Sequence, residues 1–422
     1  MKTKVKDLDY EKVISLKEEK VLQPLKPGMF FRWLMKTAGA LELKATNFKC
    51  NFLGMEKLGK KEPCLILMNH SCFEDLEIVS SVFYPRPVNI VCTSDGFVGK
   101  KWLMRHLGCI PTNKFVTDFK LIRHIKYALE KLKSSVLVYP EASYSFDGTA
   151  TPFNDSMAKL IKLLSVPVVM IKTYGAFHHN PLYNNLQQRK VDVSADVKYL
   201  LSPEEIQNKN TREIDSILQK EFTFDAWEWQ QKNQIKVNED FRADSLNRVL
   251  YKCPCCGSEG HMLGRGIQLA CSACGAKWNL SELGRMEQLA GKPVDEKFSH
   301  IPSWYKWERE EVKKEIKAGT YRIESDVEIY MMVNTKSIYH VGSGHLTHSE
   351  EGFILDGCNG KLHYEQNPKV SHSLYSDYNW YELGDMICIG NTKTLYYCFP
   401  KEAGDIVAKA RIAAEEIYKL KA

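Results

Sequence analysis

Cys64-Leu65-Ile66-Leu67-Met68-Asn69-His70-Ser71-Cys72-Phe73-Glu74-Asp75 runs from an unbroken apolar stretch into a polar one. A short run that is apolar at every position, opened here by Pro63, reads as a strand buried on both faces, and such strands belong to parallel sheets. Val88–Cys92, Val136–Tyr139 and Val166–Ile171 have the same character. Between these runs, 118–133 places Leu121, Ile122, Ile125, Leu129 and Leu132 on one helical stripe, and 154–164 predicts a second helix. Strands alternating with helices predict an α/β fold, a mostly parallel sheet flanked by helices. Sites in such sheets sit at the carboxyl ends of strands. The His70 segment follows one strand, and Pro140-Glu141-Ala142-Ser143 follows another.

His70 and Asp75 are five residues apart, and on one ideal helix they would point away from each other. Ser71 followed by Glu74 forms a capping-box pattern that predicts a helix starting at Cys72 and leaves His70 just outside it. Helical side chains lean toward the N-terminus, so Asp75 can reach back to His70. A carboxylate on one imidazole nitrogen fixes the tautomer and makes the other nitrogen a better base, able to take a proton from an attacking hydroxyl. The competing reading is a strand-to-helix turn in which Asn69, His70 and Asp75 only satisfy local hydrogen bonds.

Four ordered blocks bear on that choice. Asn69-His70-x-x-x-x-Asp75 resembles the first block of the glycerolipid (lysophospholipid, 1-acylglycerol-3-phosphate-type) acyltransferase family. Gly108-Cys109-Ile110-Pro111-Thr112-Asn113-Lys114 looks like the second, Tyr139-Pro140-Glu141-Ala142-Ser143-Tyr144 like the third, and Val166-Pro167-Val168-Val169 like the fourth. The resemblance covers roughly 45–200. It implies His70 as general base, Asp75 as its orienting partner, an acyl thioester on coenzyme A or acyl carrier protein (acyl-CoA or acyl-ACP) as donor, and no covalent acyl-enzyme. Asn69, Lys114, Glu141 and Ser143 are the implied substrate-binding residues. Where the family's second and third blocks carry arginines that grip the acceptor's phosphate, this chain has Lys114 and Tyr144, and Ala142 replaces a glycine. These departures predict an acceptor other than a small glycerol phosphate. They also sustain an alternative: a catalytically inactive lipid-binding or scaffolding protein derived from the family.

Cys253-Pro254-Cys255-Cys256-Gly257 and Cys271-Ser272-Ala273-Cys274-Gly275 form two knuckles separated by fourteen residues. Paired thiolate turns suit one tetrahedral ion, predicting a structural Zn²⁺ held by Cys253, Cys256, Cys271 and Cys274, with Cys255 spare. The unit resembles a zinc ribbon, with Leu269 and Trp278 packing its small sheet. A redox dithiol or an iron–sulfur cluster is the less favoured reading. Beyond it, seven short apolar runs (327–333, 338–341, 352–355, 361–364, 380–383, 386–389 and 394–399) precede a helix over 402–420 and resemble a pleckstrin-homology-like (PH-like) β-barrel with a closing helix. Cys358, Cys388 and Cys398 read as packed thiols. The implied organisation is an N-terminal helical, membrane-interfacial segment (1–48), an acyltransferase domain (49–245), a zinc ribbon (246–282), a helical linker (283–320) and a PH-like domain (321–422).

The chain has 422 residues, 44% hydrophobic and 26% charged, which fits a multidomain globular protein and excludes disordered and fibrous classes. Thirteen cysteines, an odd number partly in paired knuckles, point to a reducing compartment. No apolar run approaches the roughly 20 residues of a membrane span. The expectation is a cytoplasmic protein, peripheral on the inner face of a membrane. Pro27-Gly28-Met29-Phe30-Phe31-Arg32-Trp33-Leu34-Met35-Lys36 is equally readable as a helix lying in a headgroup layer or as one packed on the core. The net charge of +6 is concentrated early, with eleven Lys or Arg against six Asp or Glu in the first fifty residues. No basic stripe with interleaved aromatics surrounds the cysteine unit, so nucleic acid is a weaker partner than a protein bound through the ribbon or the last domain. His178 and His179 read as loop or surface residues, and His106 and His124 as structural ones.

Overall fold

Leu65–Met68 is the central strand of a seven-stranded sheet. In order across the sheet the strands are Lys49–Leu53, Ser194–Leu201, Val168–Tyr174, Leu65–Met68, Ser135–Val138, Val88–Thr93 and Cys109–Thr112. All neighbours are parallel except Val168–Tyr174 with Ser194–Leu201. This is a computed structural model, and it describes all residues except 1–3, 18, 20–21, 73–74, 117, 154–155, 402–405 and 422.

The unbroken apolar run has a direct explanation, because alternate residues of the central strand enter different cores. Leu65 and Leu67 pack beneath helices Phe119–Glu130, Ser156–Leu164 and Thr211–Phe222 through Ile125, Leu129, Ile161, Ile214 and Leu218. Ile66 and Met68 pack on the opposite face with Ile78 and Val79 of helix Asp75–Val82 and Leu43 of helix Met29–Ala45. A capping box at Ser202 and Glu205 opens Pro203–Asn208.

Helix Met29–Ala45 packs on the core along one face and leaves apolar side chains exposed on another. Gly39 and Leu43 are buried against helix Asp75–Val82, whereas Phe30, Trp33 and Leu41 on the same helix are 62%, 50% and 80% exposed. The approach at Gly39 is so close that a Cβ there would lie 2.7 Å from the Glu77 Cβ.

The cysteine unit forms an antiparallel sheet in the order Met286–Ala290, Lys277–Leu280, Gln268–Cys271 and Met262–Arg265. Met286–Ala290 falls where a helical connector was expected; its pairing with Lys277–Leu280 overrides the charged, helix-like composition. Leu269 and Trp278 are buried, and Trp278 meets Trp304 of helix Ile301–Lys317 edge to face at 5.0 Å.

The last part is an antiparallel sheet. Ile323–Met332, Ile338–Ser349, Gly352–Gly357 and Leu362–Gln366 form one meander; Tyr375–Trp380, Gly384–Gly390 and Leu395–Pro400 form another, joined where Ile323–Met332 pairs with Leu395–Pro400. Helix Ile406–Lys421 follows; the first four residues of the expected 402–420 helix lie outside the described residues. The apolar 380–383 run is largely a turn: Tyr381 and Glu382 adopt φ of 47° and 65°, and the strand precedes them. Val5–Asp7, in a segment expected to be helical, is instead a strand added parallel to Ile338–Ser349. Backbone pairing to a distant edge decides this, and local composition does not reveal it.

Replacing Gly39 with leucine is expected to destabilise the protein by about 1–3 kcal/mol through overpacking against Glu77. An unchanged urea midpoint would contradict close docking of the N-terminal helix.

Candidate active site

The topology sets the carboxyl ends of Leu65–Met68 and Ser135–Val138 side by side, which brings the His70 and Glu141 loops together. His70 Nδ1 lies 2.9 Å from Asp75 Oδ2. The same oxygen accepts hydrogen bonds from the Ser71 and Cys72 N–H groups at 2.9 and 3.3 Å. Cys72 is not helical, and the described part of the helix begins at Asp75; Phe73 and Glu74, and with them the Glu74 half of the expected capping box, lie outside the described residues. A carboxylate satisfying two loop N–H groups and an imidazole closes the loop.

Glu141 fixes this loop from the neighbouring strand. Its Oε2 accepts from the His70 N–H at 2.8 Å and its Oε1 from the Thr151 N–H at 2.6 Å, and the Ser145 N–H donates to the His70 carbonyl at 3.0 Å. Asn69 ties the loop to the other side: its Oδ1 accepts from the Thr173 N–H at 2.9 Å and the Thr173 hydroxyl at 3.2 Å. Asn69 and Glu141, both implied to bind substrate, thus spend their side chains on the chain's own backbone. Ala142 has φ of +53°, the left-handed region in which glycine carries no penalty, which accounts for the family's glycine at this position.

The His70 ring lies between two tyrosines, with Tyr139 stacked at 4.0 Å between centroids and Tyr144 at 4.1 Å on a tilt. Burial pushes the His70 pKa below its usual value, opposed by Asp75 and assisted by the charge of Lys114. The imidazole is therefore neutral near pH 7, with Nδ1 committed to Asp75. Burial also pushes Glu141 up to about 8, against the backbone donors that favour its ionised form. Such an arrangement can accept a proton at Nε2 and hold the resulting imidazolium against Asp75.

Lys114 and Ser143 face the C-terminal sheet and helix. The Lys114 ammonium lies 4.5 Å from the centroid of the Tyr375 ring, and Tyr375 donates its hydroxyl proton to Asp95 Oδ2 at 2.7 Å. Arg411, 3% exposed on the closing helix, donates to Ser143 Oγ at 3.1 Å and stacks on Phe146 at 4.0 Å. Sequence reasoning missed Asp95, Tyr375, Asp377 and Arg411. The one available signal was an arginine within the apolar run Ala410-Arg411-Ile412-Ala413. A cavity of about 410 Å³ opens behind the Glu141 loop, lined by Thr151, Tyr305, Arg309, Arg411 and Glu415 among others, and does not include His70. His178 and His179, expected at the surface, are buried; His178 Nε2 lies 2.9 Å from the Ala226 carbonyl oxygen. His106 Nδ1 lies 2.7 Å from the Trp102 carbonyl oxygen of its own helix.

The thiols of Cys253, Cys256, Cys271 and Cys274 lie within 4.8 Å of one another. Four sulfurs about 2.3 Å from one zinc stand about 3.8 Å apart along the edges of a tetrahedron. The Cys253–Cys274 and Cys256–Cys271 sulfur pairs are 3.7 and 3.8 Å apart, so the set fits. Gly257 and Gly275 each adopt φ of +75°, the turn a knuckle requires. Cys255 turns away toward the Lys292 carbonyl oxygen. This cluster can hold a metal such as zinc. Asp225, Glu228 and His300 also converge, but Asp225 already accepts from the N–H groups of Trp227 and Glu228 and pairs with His300 at 3.2 Å.

Residues 49–172 match the Acyltransferase family model. This segment is an acyltransferase-family domain. The structure is also similar to the 1-acyl-sn-glycerophosphate (LPA) acyltransferase of Thermotoga maritima, with TM-score 0.35 and 16% identity over 45% of this chain and 78% of that one. No curated protein matches in sequence. Among the described residues no helix is long and apolar enough to cross a membrane.

Replacing Glu141 with alanine leaves the His70 and Thr151 N–H groups unpaired; a loss of about 2–4 kcal/mol in a denaturant titration is expected. Elemental analysis should find about one zinc per chain, and Cys271→Ser should lower it. Protein free of metal at full stability would count against the cluster.

Proposed function

We propose that this chain is an O-acyltransferase that moves a fatty acyl group from acyl-CoA or acyl-ACP to a hydroxyl of a lysophospholipid or related lipid acceptor. His70 is the general base and Asp75 its orienting partner. The observation that carries the reading is the half-buried His70, its pKa lowered by burial, with Nδ1 held 2.9 Å from the carboxylate of Asp75. His70 Nε2 takes the acceptor's proton as its oxygen attacks the thioester carbonyl. The tetrahedral intermediate then expels the thiolate, which recovers a proton. Asn69 and Glu141 hold the base in place, and Lys114 and Ser143 lie on the acceptor side.

Zn²⁺ held by Cys253, Cys256, Cys271 and Cys274 would be structural, since four thiolates leave no open position. The two meanders and closing helix favour the PH-like reading of the last domain, which with the ribbon offers a surface to a protein partner. Peripheral binding to a cytoplasmic membrane face is supported by exposed Phe30, Trp33 and Leu41, joined by Trp102, which is 67% exposed and contacts Phe31 of the same helix as those three. A second reading, a lipid-binding scaffold without turnover, draws on the two tyrosine rings that cover both faces of His70.

His70→Ala is expected to lower acyl transfer from labelled acyl-CoA by about 10²–10⁴-fold, the usual worth of general-base help. Retained activity would remove His70 from the mechanism, and a wild-type protein inert with every lysolipid would favour the scaffold. The base works in its neutral form, so kcat/KM should fall as pH drops, with the acid limb centred below pH 6.5 because burial lowers the His70 pKa. A limb centred above that value would contradict the assignment.

A further inference from the structure

Acyl transfer at His70 leaves open which hydroxyl is presented, and the surroundings of Lys114 bear on that. The second block ends at the far edge strand, Cys109–Thr112, beside Val88–Thr93, so Lys114 and Asp95 emerge from adjacent strand ends. Onto this edge the C-terminal sheet docks. Val98 is buried in one cluster with Tyr375, Trp380, Tyr397 and Phe399, and the Asn113 side-chain amide donates to the Asn391 carbonyl at 3.2 Å. Tyr375 and Asp377 are two apart on one strand and so point to the same side of it.

Their effect on Lys114 is specific. Tyr375 lies over the ammonium at 4.5 Å and anchors Asp95 through a 2.7 Å hydrogen bond. Burial is the largest influence on Lys114 and lowers its pKa, and Asp377 and Asp95 are the carboxylates that oppose it. Burial pushes Asp377 up to about 6, with Lys114 holding it down, so it is ionised at neutral pH. At the third block the pattern recurs: Arg411, the only arginine bonded to that block among the described residues, is paired with Glu415 at 3.4 Å, and Glu415 also binds Arg309 at 2.7 Å. Arg411 is ion-paired with Glu415, and Lys114 lies in the field of Asp377 and Asp95 beneath the Tyr375 ring.

We propose that Asp377 and Asp95 set the acceptor class of this site: placed about Lys114 through the Tyr375 ring and its hydrogen bond to Asp95, they offset the charge of Lys114, so the acceptor is a lipid hydroxyl without a phosphomonoester beside it. The inference rests on the acyltransferase reading and deepens it. A phosphate dianion brought to Lys114 would meet two carboxylates in a partly buried setting, where like charges cost several-fold more than in water. Discrimination built from such repulsion is a common route to specificity.

Two measurements on the full-length protein test this. With labelled acyl-CoA, wild-type protein should use monoacylglycerol in preference to 1-acylglycerol 3-phosphate, and Asp377→Asn should shift the ratio of kcat/KM values toward the phosphate acceptor by about tenfold, the effect of about 1.4 kcal/mol. The amide oxygen introduced by this substitution can still accept the Tyr378 N–H bond that Asp377 accepts at 2.9 Å. Asp95→Asn keeps an acceptor for the Tyr375 hydroxyl and should act in the same direction. Independently of turnover, sn-glycerol 3-phosphate should bind Asp377→Asn about tenfold more tightly than wild type in calorimetry. A wild-type preference for the phosphate acceptor, or ratios and binding unchanged in both variants, would overturn the proposal. If acylation persists in His70→Ala while glycerol phosphate binding still tightens in Asp377→Asn, the mechanism of transfer fails and the charge assignment stands.

Discussion

The Asp75 carboxylate is the contact on which the candidate site depends. One oxygen meets three nitrogens at once, the backbone N–H groups of Ser71 and Cys72 and the ring nitrogen of His70. That concentration of bonds fixes a tight loop between a buried strand and a helix, and the loop fixes the imidazole. Glu141 and Asn69 then hold the loop from the two strands flanking it. Because a parallel sheet places all its strand ends on one edge, three blocks far apart in the chain meet without any of them being long.

The C-terminal sheet and helix are part of this site's wall. Tyr375 bonds Asp95, Arg411 bonds Ser143, and Arg248 makes a bidentate pair with Asp385 at 2.8 Å. The N-terminal strand Val5–Asp7 closes the circuit by joining the same sheet, and Val13 lies in one continuous core with Trp227, Trp278, Trp304 and Val327. A protein assembled in this way has ends that contribute to its middle. The Tyr375–Asp95 and Arg411–Ser143 bonds accordingly join the C-terminal domain to the loops of the candidate site.

Several elements were legible because their signals are local. The apolar runs needed only the chemistry of a two-faced strand. The cysteine knuckles, with their glycines in left-handed turns, were legible for the same reason. The second and third nitrogens on Asp75, the Ser71 and Cys72 N–H groups, were not, because they depend on the path of the loop. Nor was Tyr375–Trp380, whose strand identity rests on pairing with Gly384–Gly390, while the more apolar residues after it form the turn.

The sequence by itself determined the parallel core, the spacing of His70 and Asp75, the four convergent thiols and the absence of the usual arginine at Tyr144. Each depends on neighbours along the chain, where residue type and spacing limit the geometry. Only the tertiary structure decided what surrounds Lys114 and Ser143, which rings stack on His70, and where the first strand pairs. Those contacts join residues separated by long stretches of chain, and their free energy comes from burial and charge pairing that no local pattern encodes.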